Sequence, residues 1–339
     1  MMYKVALNFA DGKTLFCPVL PNEILLDAAL KSGIKIPLDC REGVCATCQG
    51  RCESGSYTQD YVDEEALSEQ DLAERRILSC QTRVQSDASF YFDFDSSLCN
   101  SEGTTEIITT VKEVVHVSAG TAILRTTVEG DTSLNYLPGQ YARLQIPGTE
   151  HRRSYSFACA PGTQTLEFLV RLLPDGVMSN YLREHCKPGD TIAMEAPLGA
   201  FYLRHIDRPI VMMAGGTGLS AFLGMLDQLA EKGGAGFPVH LYYGVRTEQD
   251  LCELPRLAAY TRTVEKFEFT PVLSESDGDW QGKCGFITDH LALYEATDMP
   301  FDMYICGPPP MVESIKQWHQ KSGQTSARIY LEKFTESNT

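Results

Sequence analysis

The sequence predicts a multidomain protein of α+β and α/β class, with three domains on one chain. The chain has 339 residues, which is more than one small hydrophobic core requires. Its apolar pattern also changes twice, near residues 106 and 207. The predicted bounds are 1–98 for the first domain, 99–105 for a linker, 106–206 for the second domain and 207–339 for the third.

The first domain begins with a predicted β-hairpin followed by a short helix. Residues 3–20 alternate between apolar and polar side chains around the turn signal Asp11-Gly12. Asn22 is expected to cap a helix that ends at Gly33. Strand, strand and helix, in this order and before a cysteine loop, predict the start of a small sheet.

The second and third domains have different textures. Residues 106–206 contain short alternating strands separated by four Pro-Gly turns, which predicts a small antiparallel β-barrel. Beyond residue 207, apolar strand runs alternate with helical stretches. That alternation is typical of a parallel sheet covered by helices on both faces.

Four cysteines of the first domain have the spacing of a plant-type 2Fe–2S site, namely Cys40, Cys45, Cys48 and Cys80. Gly43 is small enough to let the backbone of this loop approach bound sulfides. The alternative is four ordinary buried thiols, since cysteine also packs as a small hydrophobe. The spacing favours the cluster and predicts transfer of single electrons.

The remaining cysteines do not continue this pattern. Cys52 fits no four-iron spacing and is expected to lie in the core. Six others are scattered singly and are expected to be packing residues: Cys17, Cys99, Cys159, Cys186, Cys252 and Cys284.

One strand of the predicted barrel has the side chains of a flavin site, in the run Arg153-Ser154-Tyr155-Ser156. Arg153 and Tyr155 share one face, which sets a cation for a phosphate beside a flat ring for an isoalloxazine. The Ser156 hydroxyl is suited to bond the flavin nitrogen that accepts hydride. An ordinary exposed barrel strand explains the tetrapeptide about as well.

A second flavin signal follows at Gly176 and Ser179, which open a predicted helix over 180–183. Free backbone N–H groups at a helix start can bind a pyrophosphate, and a pyrophosphate indicates FAD and not FMN. The alternative is an ordinary capped surface helix.

Two segments of the third domain suit a nicotinamide dinucleotide. The strand 210–214 runs into Gly215-Gly216-Thr217-Gly218 and then into a predicted helix over 219–231, a turn that can seat a pyrophosphate or simply pack tightly. Near the end of the domain, Cys306-Gly307-Pro308 closes another strand at the carboxyl edge of the sheet. Its prolines fix Cys306 at the mouth where a ligand is expected.

The residues near Arg246 do not decide between NADH and NADPH. Arg246 would favour a 2′-phosphate, whereas Glu248 and Asp250 would favour a ribose hydroxyl.

The order of these motifs resembles the ferredoxin-reductase flavoprotein superfamily fused to an N-terminal plant-type ferredoxin. More narrowly, it resembles the reductase components of aromatic-ring-hydroxylating dioxygenases of the benzoate, toluate and anthranilate type. The similarity runs from Lys4 to Phe334. It implies a β-grasp 2Fe–2S ferredoxin domain, an FAD-binding barrel and an NAD-binding α/β domain, with NADH as the donor.

The resemblance also implies roles for individual residues. Those expected to act beside the reacting rings are Cys306, Ser156 and Glu332. Those expected to contact FAD or the nicotinamide dinucleotide are Arg153, Ser154, Tyr155, Ser156, Val170, Gly176, Met178, Ser179, Gly215, Gly216, Thr217, Gly218, Arg246, Cys306, Gly307, Pro308 and Phe334.

Charge and targeting signals restrict the expected partners and cellular location of the protein. The net charge of -16 argues against a nucleic-acid partner. The start of the chain alternates like a strand and has no signal-peptide pattern, and no apolar run is long enough to cross a bilayer. A soluble cytoplasmic protein is therefore expected.

The expected function is transfer of electrons from NADH through FAD and the 2Fe–2S cluster to a separate Rieske oxygenase component. One alternative is the reductase of a di-iron monooxygenase acting on phenol, alkene or methane. A second alternative is a redox-sensing protein without turnover. A Cys-His hydrolase is disfavoured because no cysteine has a nucleophile context.

Overall fold

The structure is a computed structural model that describes residues 2–100, 105–128, 134–276, 278–294, 299–323 and 326–334. It divides into two compact units, Met1–Thr104 with Leu198–Ala200 and Thr105–Pro197 with Phe201–Thr339. The division falls at the end of the predicted linker, but residues 101–104 of that linker lie outside the described residues. The predicted domain bounds therefore stay predictions.

The first unit is a small mixed sheet with two short helices. Its elements are β1 (Tyr3–Phe9), β2 (Thr14–Val19), α1 (Leu25–Lys31), β3 (Gln49–Ser54), β4 (Tyr57–Gln59), α2 (Glu69–Ala73), β5 (Arg76–Leu78), β6 (Thr82–Val84) and β7 (Ala88–Phe92), followed by a 3-10 turn at Ser96–Asn100. Five strands pair in the order β2-β1-β7-β3-β5, and β4 pairs with β6. The predicted hairpin is confirmed, because β1 and β2 are antiparallel across Asp11-Gly12.

The predicted helix cap at Asn22 is wrong. Helix α1 begins at Leu25, and the residue before it, Ile24, makes no side-chain capping bond. Asn22 instead has a left-handed backbone with φ 64, and its N–H donates to the carbonyl of Val84 at 3.0 Å. Asparagine tolerates this conformation better than most residues, so Asn22 forms part of a turn and does not cap the helix. The predicted stop at Gly33 is confirmed.

The second unit begins with the antiparallel barrel that the sequence predicts. Its strands are β8 (Thr105–Ser118), β9 (Thr121–Val128), β10 (Tyr141–Gln145), β11 (Arg152–Ser156), β12 (Thr165–Arg171) and β13 (Thr191–Leu198), in the order β11-β10-β13-β8-β9-β12. A further antiparallel bridge joins Phe157 to Phe168, which links the two end strands of this order. That bridge closes the sheet into a barrel.

A six-stranded parallel sheet completes the second unit. Its strands are β14 (Ile210–Gly215), β15 (Gly234–Val245), β16 (Glu265–Leu273), β17 (Lys283–Cys284), β18 (Phe301–Gly307) and β19 (Ala327–Lys333), in the order β17-β16-β15-β14-β18-β19. All five pairings are parallel, as predicted. The strand order reverses between β14 and β18, so this point is where the fold class places a ligand.

Helices cover this sheet and connect it to the barrel. They are α4 (Leu219–Glu231), α5 (Leu254–Thr263) and α6 (Pro309–Ser322), and a shorter helix α3 (Val177–Asn180) belongs to the barrel and continues as a π-helical turn over Tyr181–His185. The bounds of α4 are those predicted. Nine of its residues are buried, because the helix packs against both the sheet and the barrel.

No helix in the described part of the chain is long and apolar enough to cross a membrane.

Candidate functional site

The four predicted cluster ligands form two pairs of thiols in the first unit. Cys40 is hydrogen-bonded to Cys45, and Cys48 is hydrogen-bonded to Cys80. In each pair the bond lowers the pKa of one thiol, Cys40 or Cys80, and raises the pKa of its partner. A 2Fe–2S cluster needs two thiolates on each iron, and two thiol pairs supply that donor set.

The arrangement suits two irons better than one ion. Among the described residues, no three Cys, His, Asp or Glu side chains are close enough together to hold a single metal ion. Two irons, each held by one thiol pair, do not need three such ligands around one ion.

Nitrogen donors surround these sulfurs. The Glu42 N–H donates to Cys40 Sγ at 3.3 Å, and the Cys40 N–H donates to Cys45 Sγ at 3.5 Å. Gln81 Nε2 donates to Cys80 Sγ at 3.7 Å, a contact that the sequence analysis missed because only adjacency to Cys80 could have indicated it. Hydrogen bonds to the sulfurs of a cluster set its reduction potential.

Gly43 is required by the geometry of the loop. Its φ is 83, and a Cβ at this position would overlap the carbonyl oxygen of Tyr61. Its own carbonyl accepts a bond from the Asp63 N–H at 3.0 Å. Any larger residue would push the loop away from the segment that supports it.

Two of the other cysteines illustrate where the packing prediction succeeds and where it fails. Cys52 is buried, as predicted, and bonds to the Ser54 carbonyl and to Arg75. Cys284 is exposed on the short edge strand β17, so its assignment as a packing residue is wrong. A two-residue edge strand buries little, and sequence spacing does not reveal which strand lies at an edge.

Strand β11 presents the predicted flavin-binding run. Arg153 and Tyr155 are partly buried, whereas Ser154 between them is exposed and Ser156 is buried at the strand end. Burial raises the pKa of Tyr155, and the neighbouring Arg153 cation offsets part of that rise. A guanidinium and an aromatic ring therefore share one face of this strand, which fits the phosphate and ring of a flavin.

The Gly176 segment differs from its prediction in one respect. The Ser179 hydroxyl accepts a bond from the Leu173 N–H at 2.9 Å and donates to the Arg171 carbonyl at 3.3 Å, so it supports the chain itself. The side chains of Val170 and Met178 pack in the barrel core. Contacts from these three residues to a flavin would therefore use backbone groups.

The glycine turn and the Cys306 segment meet at the point where the strand order reverses. A Cβ at Gly218 would overlap the Cys306 carbonyl oxygen, and one at Gly215 would lie 2.8 Å from Pro308 Cδ. By contrast, Gly216 has a positive φ with open space around it. The turn therefore serves close packing on one side and leaves room for a ligand on the other.

Three polar groups converge beside this turn. Cys306 is fully buried, and its Cα lies opposite that of Glu332 in the β18–β19 pairing. Ser156 Oγ and Glu332 Oε2 are both shielded from solvent and interact with each other, but among the described residues neither atom makes a hydrogen bond of standard geometry. Phe334, two residues after Glu332, donates its N–H to the Gly307 carbonyl at 2.9 Å. Buried polar groups without partners indicate a site that a ligand completes.

The electrostatics of this cluster follow from burial. Burial raises the pKa of Glu332 to about 8, and the nearby Ser156 hydroxyl offsets part of that rise. Burial also raises the pKa of the Cys306 thiol, and the Glu332 carboxylate raises it further. Perturbed titratable groups gathered at a strand end are typical of functional sites.

Replacement of Glu332 by Gln is expected to change how stability depends on pH. The folded-state pKa of about 8 lies above the ordinary value of 4.5, so the folded state binds more protons and the wild type loses stability as the pH rises between these values. At roughly 1.4 kcal/mol per pKa unit, the loss is a few kcal/mol, and Glu332→Gln removes it. Urea unfolding of the FAD-free protein, followed by tryptophan emission, measures the effect.

The signal is specific because both tryptophans, Trp280 and Trp318, belong to the second unit. Glu231→Gln, an exposed carboxyl group at the end of α4 in the same unit, is the control. An equal pH slope in wild type and Glu332→Gln would contradict the assignment.

Arg246 lies in an exposed position after β15. Its guanidinium pairs with Glu275 at 2.9 Å. Of the two acidic candidates, Asp250 accepts bonds from both the N–H and the hydroxyl of Thr247 at 3.0 and 2.8 Å, so it caps the turn over Glu248–Asp250. Glu248 remains the exposed carboxylate of this segment.

Comparison with known proteins assigns three stretches of the chain to domain families. Family models match residues 8–85 as a 2Fe-2S iron-sulfur cluster binding domain, residues 109–202 as an oxidoreductase FAD-binding domain and residues 212–317 as an oxidoreductase NAD-binding domain. The fold and the three sites together define an electron-transfer oxidoreductase whose cofactors are a 2Fe–2S cluster, FAD and NAD.

The family follows from full-length relatives. The chain is 57% identical to the anthranilate 1,2-dioxygenase electron transfer component of Acinetobacter baylyi, over 100% of this chain and 99% of that one. It is 38% identical to the toluate 1,2-dioxygenase electron transfer component of Pseudomonas putida, over 99% and 100%. The chain belongs to the family of dioxygenase electron transfer components.

A solved structure supports the fold over the same length. The Amycolatopsis reductase GcoB superimposes with a TM-score of 0.72 at 30% identity, over 98% of this chain and 99% of that one.

Proposed function

We propose that the protein passes electrons from NADH through FAD and the 2Fe–2S cluster to the oxygenase component of an aromatic-ring dioxygenase of the anthranilate type. The observation that carries this proposal is the 57% identity to the anthranilate component along the whole chain. Identity falls to 38% for the toluate component and to 33% or less for propane 2-monooxygenase reductases. The di-iron alternative is thus less well supported.

The site residues have defined roles in this function. Bound FAD supplies the conversion of one hydride into two single-electron transfers. In this proposal the buried Ser156 hydroxyl bonds to the flavin ring, and Arg153 neutralises phosphate charge beside Tyr155. Cys306, fully buried at the end of β18, closes the floor of the nicotinamide site and excludes water.

Glu332, which lies opposite Cys306, holds a proton below pH about 8. In that form its carboxyl group can donate a hydrogen bond to an acceptor on a bound ring or amide. The glycine turn lets the dinucleotide approach helix α4, with Gly216 on the open side.

The first unit contributes the exit for electrons. The irons would be held by Cys40, Cys45, Cys48 and Cys80. The N–H donors at the sulfurs would stabilise the reduced cluster, which carries more negative charge.

We also propose a cytoplasmic location. All twelve cysteines are free thiols, which suits a reducing compartment, and NADH is a cytoplasmic donor.

The test is anaerobic titration of the pure protein with NADH, followed by reconstitution with purified oxygenase components. Flavin and iron–sulfur absorbance are both expected to bleach with NADH. Turnover is expected with an anthranilate oxygenase and to be weaker with a toluate oxygenase or a di-iron hydroxylase. Faster turnover with the hydroxylase would reassign the partner, and absence of steady NADH oxidation would favour a sensor.

Coenzyme choice offers a separate prediction. A 2′-phosphate would need the Arg246 guanidinium that now pairs with Glu275, so Glu275→Gln is expected to raise kcat/KM for NADPH and leave NADH use unchanged. The expected gain is only about two- to fivefold, because an exposed ion pair is weak and is screened by solvent. Steady-state rates with both coenzymes measure it. The double variant Glu275→Gln with Arg246→Ala should lose the gain, and a gain that persists would exclude Arg246.

A further inference from the structure

The barrel and the nicotinamide-binding sheet share one continuous contact in the second unit. Helix α4 packs its apolar face against barrel residues Ile123, Ala158 and Leu169. At Gly224 the helix comes so close that a Cβ would lie 2.8 Å from the Cys159 carbonyl oxygen and 2.9 Å from that of Phe157. The relative placement of flavin-side and nicotinamide-side elements is therefore set at this contact.

One arginine at this contact bonds to both sides. The Arg256 guanidinium, on helix α5, donates to the Ala158 carbonyl at 2.8 Å and to Glu167 at 2.9 Å, both on the barrel. It also donates to Asp227 on α4 at 2.7 Å. Its remaining bonds go to the Tyr260 hydroxyl at 2.7 Å and to Glu253 at 3.5 Å.

These five bonds match the five N–H donors of a guanidinium. Arg256 is only 22% exposed, and the carboxylates of Glu167 and Asp227 are 17% and 25% exposed. A planar fork with fixed donor directions holds several partners in one geometry, which a lysine ammonium does not.

The groups that Arg256 bonds to lie on the elements that carry the flavin contact and the glycine turn. Ala158 stands two residues after Ser156, the predicted flavin contact at the end of β11. Asp227 lies on α4, the helix that begins immediately after the glycine turn Gly216–Gly218. Movement of either element relative to the other would change the gap between the flavin and the nicotinamide.

We propose that Arg256 is a positioning residue, which fixes β11 against α4 and so sets the hydride-transfer distance. This inference rests on the proposed NADH-to-FAD function. Small displacements matter for such a step, because a misplacement of about 1 Å can lower a rate by roughly 100-fold.

The chain offers a matched control for this role. Arg125 bonds to the same carboxylate, Glu167, at 2.8 Å and to Glu113 at 2.7 Å. Glu113, Arg125 and Glu167 all belong to barrel strands. Loss of Arg125 therefore removes a comparable ion pair without releasing α4 from the barrel.

The experiment compares the holoenzyme variants Arg256→Ala, Arg256→Lys and Arg125→Ala in stopped-flow reduction by NADH and by NADH deuterated at the transferred position. Arg256→Ala is expected to lower the limiting rate of flavin reduction about 10- to 100-fold with a smaller change in NADH affinity. Arg256→Lys should be intermediate, and Arg125→Ala should stay within twofold. Millimolar guanidinium should restore part of the rate to Arg256→Ala.

Rescue by guanidinium separates positioning from a general loss of structure. If Arg256→Ala reduces flavin as fast as Arg125→Ala, or slows without rescue while its unfolding midpoint falls, the inference is overturned. Should Arg256→Ala not fold, Asp227→Asn tests the same link, and an unchanged limiting rate there also overturns it. Wild-type flavin that NADH does not reduce would instead defeat the proposed function itself, and this inference with it.

Discussion

Replacement of Cys48 by Ser is expected to abolish delivery of electrons through the cluster while leaving the flavin reducible. Cys48 is buried and paired with Cys80, and a serine hydroxyl is a poor ligand for a cluster that selects soft thiolates. The cluster absorbance should be lost, and reduction of cytochrome c or of an oxygenase should fall at least about 100-fold, since even outer-shell changes cost 10- to 100-fold.

Ferricyanide reduction should persist within twofold in the same variant, because the flavin-binding barrel belongs to the other compact unit. Cys52→Ser is the matched control. Cys52 is equally buried but bonds to Ser54 and Arg75, roles that a serine hydroxyl can fill. A cluster retained in Cys48→Ser, or lost in Cys52→Ser, would show that the ligand set is misassigned.

Replacement of Gly218 by Ala is expected to slow hydride transfer by roughly tenfold or more. The added Cβ would overlap the Cys306 carbonyl oxygen and lie 3.0 Å from Gly307 Cα, and both neighbours are backbone that a rotamer change does not relieve. Such overpacking costs about 1–3 kcal/mol and displaces the strand end that carries Cys306. Stopped-flow reduction by NADH measures the rate, and absorbance shows whether FAD and the cluster are retained.

Gly120→Ala is the control for a glycine-to-alanine change in the same unit. Its Cβ would meet only Asp250 Oδ1 at 3.8 Å, an ordinary contact, and Gly120 has no positive φ. It should match the wild type. Normal hydride transfer in Gly218→Ala would mean that the turn and the Cys306 segment can separate without consequence.

Local patterns were sufficient for most elements of the fold. The turn at Asp11-Gly12 and the bounds of α4 came from alternation and amphipathic spacing, which depend only on near neighbours. Asn22 shows where this fails. The residue suits both a helix cap and a left-handed turn, and the Val84 carbonyl that decided between them lies far along the chain.

Site residues divide in the same way. Cysteine spacing predicted the ligand set, since three of the four thiols come from one loop. The role of Ser179 differed because its hydroxyl bonds to Leu173 and Arg171 across a turn. Arg256 carried no motif, because its partners come from segments separated by as many as 98 positions.

By itself, the sequence determined that this protein has four cysteines at the spacing of cluster ligands, a glycine turn after a buried strand and a barrel strand with Arg153 and Tyr155. Each of these depends on residues close together along the chain. The tertiary structure alone decided that Ser156, Cys306 and Glu332 are buried together at one strand end, and that Arg256 joins barrel to helix. Strand order and burial bring those groups together. Neither the order of the strands nor the free energy of desolvating a carboxylate can be predicted from the spacing of neighbouring residues.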